Sequence, residues 1–220
     1  MIDYRKFRFS KLNTPQFAHL KLLLFWPVYG MAFFFVERIS TDRVWRVMHC
    51  ALDDLIPFCE YFVIFYCLWY VLLIGVGLYL LFRDRDAFRR YMQFLAITFF
   101  LSELIWILVP NGQDLRPAVM PRDNLFTALI SALYRIDTNT NVFPSVHVVG
   151  AVGAALAVWD SHSLRHRKML RWGVVVLAAL ICVSTLFVKQ HAILDVVSGL
   201  MLSLLAALPV YRRSPAFARR

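Results

Sequence analysis

Residues 61–82 read YFVIFYCLWYVLLIGVGLYLLF, twenty-two positions without a charged side chain. A helix needs about 20 mostly apolar residues to cross the hydrocarbon core of a bilayer, and this stretch has them. The whole chain leans the same way. Of its 220 residues, 60% are hydrophobic and 17% charged, with a mean hydropathy of +0.61, against about 45–50% and about 25% in soluble domains. Nineteen Phe, nine Tyr and six Trp leave a water-soluble globule nowhere to hide its apolar surface. Disordered, collagen-like and disulfide-dense chains are excluded. Cys50, Cys59, Cys67 and Cys182 read as small apolar residues, and no CxxC or Cys/His spacing points to a metal. The expected class is an all-α integral membrane protein, a single transmembrane domain over 1–220.

Outward from that segment, the pattern predicts six transmembrane helices, near 22–36, 61–82, 91–110, 142–159, 172–188 and 192–211. The first is the shortest. Its 15 residues rise only about 22 Å, but extension back past Lys21 and His19, whose polar ends snorkel, restores the length. A cleaved signal peptide is disfavoured, since Glu37-Arg38 ends the segment and no small-residue cleavage site follows. With the N-terminus in the cytoplasm, 17 Lys/Arg fall on inner segments and seven on outer ones, accounting for all 24. That asymmetry places both termini in the cytoplasm. Val44, Trp45, Val47, Met48, Leu52, Leu55 and Ile56 recur at helical spacing, which predicts a short amphipathic interfacial helix over 44–56. No internal repeat, low-complexity segment or domain boundary is visible.

Ionisable residues inside a span are expensive and mark function by default. Three belong together near the outer boundary. His147 opens the fourth helix. His191 and Asp195 are four residues apart, so they share one helix face, where the carboxylate can hold one ring nitrogen and leave the other free and more basic. Arg116 and Arg122 in the preceding outer loop, with Lys189 beside His191, offer a cradle for a phosphate. Pro144 suits a first helical turn, and the free N–H groups around Ser145–His147 attract an anion. Glu103, about 10 Å below the outer end of its helix, reads as a structural partner. Arg135, His49, His162 and His166 have no such company and read as surface groups. A net charge of +10 tempts toward nucleic acid, but the cations follow topology rather than one surface, so no nucleic-acid partner is expected.

These residues resemble the type 2 phosphatidic acid phosphatase superfamily of membrane lipid phosphatases and phosphotransferases. Its Pro-Ser-Gly-His motif appears as Pro144-Ser145-Val146-His147. Its Ser-Arg, five residues, His, three residues, Asp motif appears as Ser184-Thr185, His191 and Asp195. Of its Lys, six residues, Arg-Pro motif only Arg116-Pro117 survives, with Val109 at the Lys position. The Phe-Pro-Ser-Val-His and Lys-Gln-His-x-x-x-Asp forms are similar to the branch that includes inositol phosphorylceramide and sphingomyelin synthases. The resemblance implies a lipid phosphate substrate among membrane lipids. It also implies that His191, oriented by Asp195, attacks phosphorus to form a phosphohistidine, and that His147 protonates the departing oxygen. Arg116, Arg122, Lys189 and Ser145 hold the phosphate, with no metal or other cofactor.

Two readings of the chemistry stand: hydrolysis of a lipid phosphate monoester or pyrophosphate at the outer leaflet, or transfer of a phospho-head group to a lipid alcohol. A transporter would place its ionisable groups near the midplane, and a scaffold has no use for paired His and Asp in lipid. With no organelle signal, the expected location is a bacterial plasma membrane, multi-pass, the site facing the extracytoplasmic side. The topology predicts that an impermeant thiol reagent labels Asp123→Cys but not Ser163→Cys in intact cells; the reverse pattern overturns it.

Overall fold

A computed structural model of the chain describes residues 4–40 and 45–212, and it is mostly helical. A 3-10 stretch over Ala18–Leu24 runs into α1 (Phe25–Ser40), so the short first segment gains its length as expected, giving a continuous apolar helix over Ala18–Ile39. There follow β1 (Arg46–Val47), α2 (Val63–Arg83), α3 (Arg85–Leu108), β2 (Asn111–Gly112), α4 (Leu125–Ile136), α5 (Val146–Asp160), α6 (Lys168–Phe187) and α7 (Ile193–Tyr211). Among the described residues, five helices are long and apolar enough to cross a membrane. The largest core cluster, aromatic and aliphatic, is built around α2, α3 and α5, and two small clusters lie around Tyr66 and Ile130 and around Met48 and Val142.

Helix α5 is the axis of the bundle, packed by α2, α3, α6 and α7. Its 15 residues rise about 22 Å, less than the ~30 Å hydrocarbon core. It starts at Val146 rather than 142 because the Ser145 side chain caps it, accepting the Val148 N–H at 3.3 Å. The irregular backbone before it is tolerable because protein, not lipid, surrounds it. Small residues let the neighbours in close. A Cβ on Gly150 would stand 2.7 Å from the Trp69 indole, and one on Gly153 2.8 Å from Phe94. Gly199 on α7 plays the same part, with Val148 only 2.9 Å from where its Cβ would be.

The interfacial helix expected over 44–56 is not formed among its described residues, 45–56. Arg46 and Val47 instead pair in parallel with Asn111 and Gly112, and only Asp53–Leu55 makes one 3-10 turn. Backbone pairing and inward demand explain the difference. Met48 is buried, Leu52 and Leu55 are exposed, and the Asp53 carboxylate turns inward to cap another helix. The amphipathic helix is α4, in the segment expected to be an outer loop. Asn124 and Thr127 form a reciprocal cap at its start, Asn124 Oδ1 accepting the Thr127 N–H and Thr127 Oγ1 accepting the Asn124 N–H. Thr127 and Ile130 face the protein, while Leu125, Leu129 and Ile136 are exposed.

Gly199→Ala should lower stability by about 1–3 kcal/mol, the usual cost of overpacking, read as thermal unfolding in detergent. Gly173→Ala, where a Cβ meets nothing within 4 Å, should stay within about 0.5 kcal/mol of the parent.

Candidate active site

Two helix beginnings meet at one end of the bundle. The Ser145 N–H, just before α5, donates to the Asp195 carbonyl in the first turn of α7 at 3.2 Å. His147 and His191 therefore face each other, with ring centroids 5.7 Å apart. Asp195 is fully buried. One carboxylate oxygen accepts the Ala192 N–H at 2.8 Å and lies 3.4 Å from His191 Nδ1. That ion-pair contact is longer than a formed hydrogen bond, as is common where a catalytic pair tightens only with substrate bound. Tyr66 and Trp69 lie tilted against the His147 ring, with centroids 4.2 and 4.5 Å away. Both His147 nitrogens, His191 Nδ1 and Asp195 Oδ1 are buried without hydrogen-bond partners. Such atoms are rare in native structures and call for an explanation; here they gather around one place.

That place is a cavity of about 200 Å³, lined by Val146, His147, Gln190 and His191, by the 136–142 segment, and by α1 and α2 aromatics. Two carboxylates line it too. Glu37, at the end of α1, accepts Thr138 Oγ1 at 2.6 Å and the Asn141 side-chain amide. Asp137 accepts the Tyr66 hydroxyl and Gln190 Nε2. Sequence reading missed both. Glu37 looked like the charge that ends a span, and Asp137 stood in a stretch read as a plain loop. Gln190, next to His191, was the one adjacent signal.

The expected phosphate ligands are dispersed. Ser145 spends its hydroxyl as the cap of α5. Arg116 stacks on Tyr134 at 4.3 Å and donates to the Tyr134 and Asp137 carbonyls and to Gln190 Oε1, so it stands one residue behind the cavity wall. Burial lowers its pKa from the usual arginine value. Arg122 is not at the cavity: it forms a two-pronged pair with Glu60 at 2.6 Å. Lys189 is also turned away. Its ammonium donates to the Asp53 and Ile56 carbonyls at 3.0 and 2.6 Å, and burial lowers its pKa while Asp53 and Asp54 oppose the shift. For Arg122 and Lys189 the correction has one cause: a cation near lipid takes the nearest fixed acceptors, and those lie in the 53–60 segment, far away in sequence.

The turn before α7 is held from several sides. Lys189 has a φ of 53°, a left-handed conformation that costs a non-glycine residue about 1–2 kcal/mol. Its carbonyl accepts from Gln113 Nε2 at 3.0 Å, and Asp53 accepts the Ile193 N–H at 2.8 Å, an external cap on α7. Asn111 plays the matching part for α5. Its side chain accepts the Val142 and Phe143 N–H groups and donates to the Val109 and Phe143 carbonyls. Thr185, at the family's Arg position, turns its hydroxyl back to the Cys182 carbonyl. Glu103 is buried on α3 and does not line the cavity. No cluster of His, Cys, Asp or Glu suited to a metal occurs among the described residues.

The architecture and the facing histidines define the class: a helical membrane-type bundle with two imidazoles and a carboxylate gathered at one end. Residues 90–219, well over half the chain, match the family model of the PAP2 superfamily. The chain belongs to that superfamily, the type 2 phosphatidic acid phosphatases, and is an enzyme of the lipid phosphatase and phosphotransferase type. No curated protein and no solved structure matches it.

The placement of Lys189 predicts that Lys189→Ala costs about 1–3 kcal/mol of stability, because two carbonyls lose a charged donor. KM for a phosphate substrate should stay within about twofold, since 1.4 kcal/mol of lost binding would make it tenfold. An unchanged melting temperature with a KM raised tenfold would put the ammonium on the substrate.

Proposed function

We propose that this chain cleaves the bond between phosphorus and a lipid oxygen at the outer leaflet through a phosphohistidine on His191, working from a six-crossing bundle with both termini in the cytoplasm. The observation that carries this is the pair of unpartnered, facing imidazoles, only one of which has a carboxylate beside it. Asp195 orients Nδ1 of His191 and leaves Nε2 to attack phosphorus. The bond to the lipid oxygen breaks, and that oxygen takes a proton from His147. His147 then accepts a proton from water, which attacks phosphorus, releases inorganic phosphate and restores His191. Among the described residues no Lys or Arg lines the cavity, so the N–H groups that open α5, worth about half a positive charge, face the phosphate, with Arg116 behind Gln190. Six crossings, with short α5 as the fourth, follow from the alternation of basic loops.

A second reading, head-group transfer to a lipid alcohol, is favoured by the cavity wall. Glu37 and Asp137 repel a doubly charged monoester more than a singly charged diester, and their oxygens suit hydroxyl donors. A lipid phosphate panel with and without alcohol acceptors separates the two: released phosphate alone means hydrolysis, a new phospholipid means transfer.

The division of labour between the histidines is testable. His191→Ala should abolish turnover and the covalent intermediate. His147→Ala should still allow a nitrophenyl phosphate to phosphorylate His191, because that leaving group departs without protonation. Mass spectrometry of rapidly quenched protein locates the added phosphate; finding it on His147, or unchanged in His191→Ala, overturns the assignment.

A further inference from the structure

To protonate a departing oxygen, the His147 ring must carry a positive charge and keep one orientation. A histidine with that task is ordinarily fixed by a hydrogen bond on its second nitrogen, from a carboxylate or a carbonyl. His147 has no such bond: both of its ring nitrogens are buried without a partner.

What touches the ring is aromatic. Tyr66 and Trp69 stand three residues apart on α2 and so share one face of it. Their rings lie at 31° and 39° to the imidazole, with centroids 4.2 and 4.5 Å away, well inside the ~6 Å over which an aromatic face attracts a cation. The sequence makes room for this approach. Gly150, one turn after His147 on α5, has the Trp69 indole 2.7 Å from where a Cβ would stand, and glycine inside a helix is otherwise unfavourable.

One of the two rings also leans on a charge. Tyr66 is fully buried, and its hydroxyl donates to the Asp137 carboxylate. The same carboxylate oxygen accepts Gln190 Nε2 at 3.0 Å, and the Asp137 carbonyl accepts from Arg116. Hydrogen bonds in series polarise one another, so a phenol that donates to a carboxylate gains electron density in its ring. Packing alone accounts for a large side chain at position 66. It does not account for a hydroxyl carried into the bundle, because phenylalanine fills that space with no polar atom to satisfy.

We propose that Tyr66 and Trp69 are positioning residues for His147: two aromatic faces, one polarised by Asp137, hold the ring and its charge while its proton passes to the departing oxygen. The assignment rests on the reading of His147 as proton donor given above. It gives α2, which lies ahead of the family-matched segment, a part in the chemistry. It also joins the supports of the two histidines, because Gln190, which braces Asp137, directly precedes His191.

The test compares two leaving groups on the intact protein in detergent. An alkoxide leaves only with a proton, whereas nitrophenolate departs without one. Tyr66→Phe should lower kcat for a long-chain alkyl phosphate about tenfold, within reach of one desolvated cation–π contact, and leave its KM within about twofold. The burst of nitrophenol that reports phosphorylation of His191 should keep its rate. Asp137→Asn leaves the ring in place and removes the charge behind it, so it should move the ratio of the two rates the same way. The double variant should lose no more than Tyr66→Phe alone, since both changes act on one contact. Tyr91→Phe removes another fully buried hydroxyl, one that meets the Leu73 carbonyl at 3.5 Å away from the cavity, and should change neither rate.

Equal slowing with both leaving groups, or slowing with neither, overturns the proposal and returns Tyr66 to packing. Additive losses in the double variant overturn the part given to Asp137. If Tyr66→Phe loses its melting transition, Asp137→Asn decides by the same ratio. His147→Ala separates this result from the reading beneath it. If that variant slows the nitrophenol burst as much as alkyl phosphate turnover, His147 is not the proton donor and the functional reading itself fails.

Discussion

The backbone hydrogen bond from Ser145 to the Asp195 carbonyl, closed over the bare Cα of Gly199, is the constraint on which the rest of the site depends. It sets the starts of α5 and α7 side by side. His147 stands two residues after Ser145, and His191 one turn before Asp195. Neither helix needs a long polar side chain to reach the other, because the backbones themselves are in contact. A methyl group at position 199 separates them, and the two rings lose their common space.

Holding two helix starts together in an apolar setting leaves donors and acceptors that no water satisfies, and an unpaired buried polar group costs about 1–3 kcal/mol. The chain meets this demand with uncharged amides and with one loop. Asn111 takes up the segment before α5, and Gln113 the turn before α7. The 53–56 loop supplies an external cap for α7 and two carbonyls for Lys189. The β1–β2 pair ties that loop to Asn111 and Gly112. Among the buried polar atoms without a hydrogen-bond partner, four belong to His147, His191 and Asp195 and two to Trp69 and Trp106, while others lie on His19, Glu103, Arg116 and Arg171.

Charge follows the same economy. Arg122 and Lys189 are consumed by structure, and Arg116 is held by carbonyls and an aromatic face. Among the described residues, two carboxylates and a helix terminus border the cavity rather than a ring of cations.

The helical, membrane-type character of the chain was legible because it is a property of composition and run length: twenty-two uncharged residues admit few other structures. The candidate pair His191 and Asp195 was legible because a spacing of four places two side chains on one face whatever the surroundings. The helix α4 was not read, because the chain there passed for an outer loop and its cap at Asn124 shows only in the structure. What lay beyond sequence was every interaction set by groups far apart in the chain. The 45–56 stretch carried a helical period yet gave its backbone to residues 111–112 and its Asp53 to α7. Lys189 stood next to His191 yet reached the carbonyls of residues 53 and 56, 136 and 133 positions away. Glu37 and Asp137 entered the cavity from two segments that periodicity treats as unrelated. Local pattern decides which residues form helices, because hydrogen bonds within a helix close over four residues. Only the tertiary structure decides which acceptor a buried cation meets, because in a medium without water that choice belongs to whichever fixed dipole packing brings nearest.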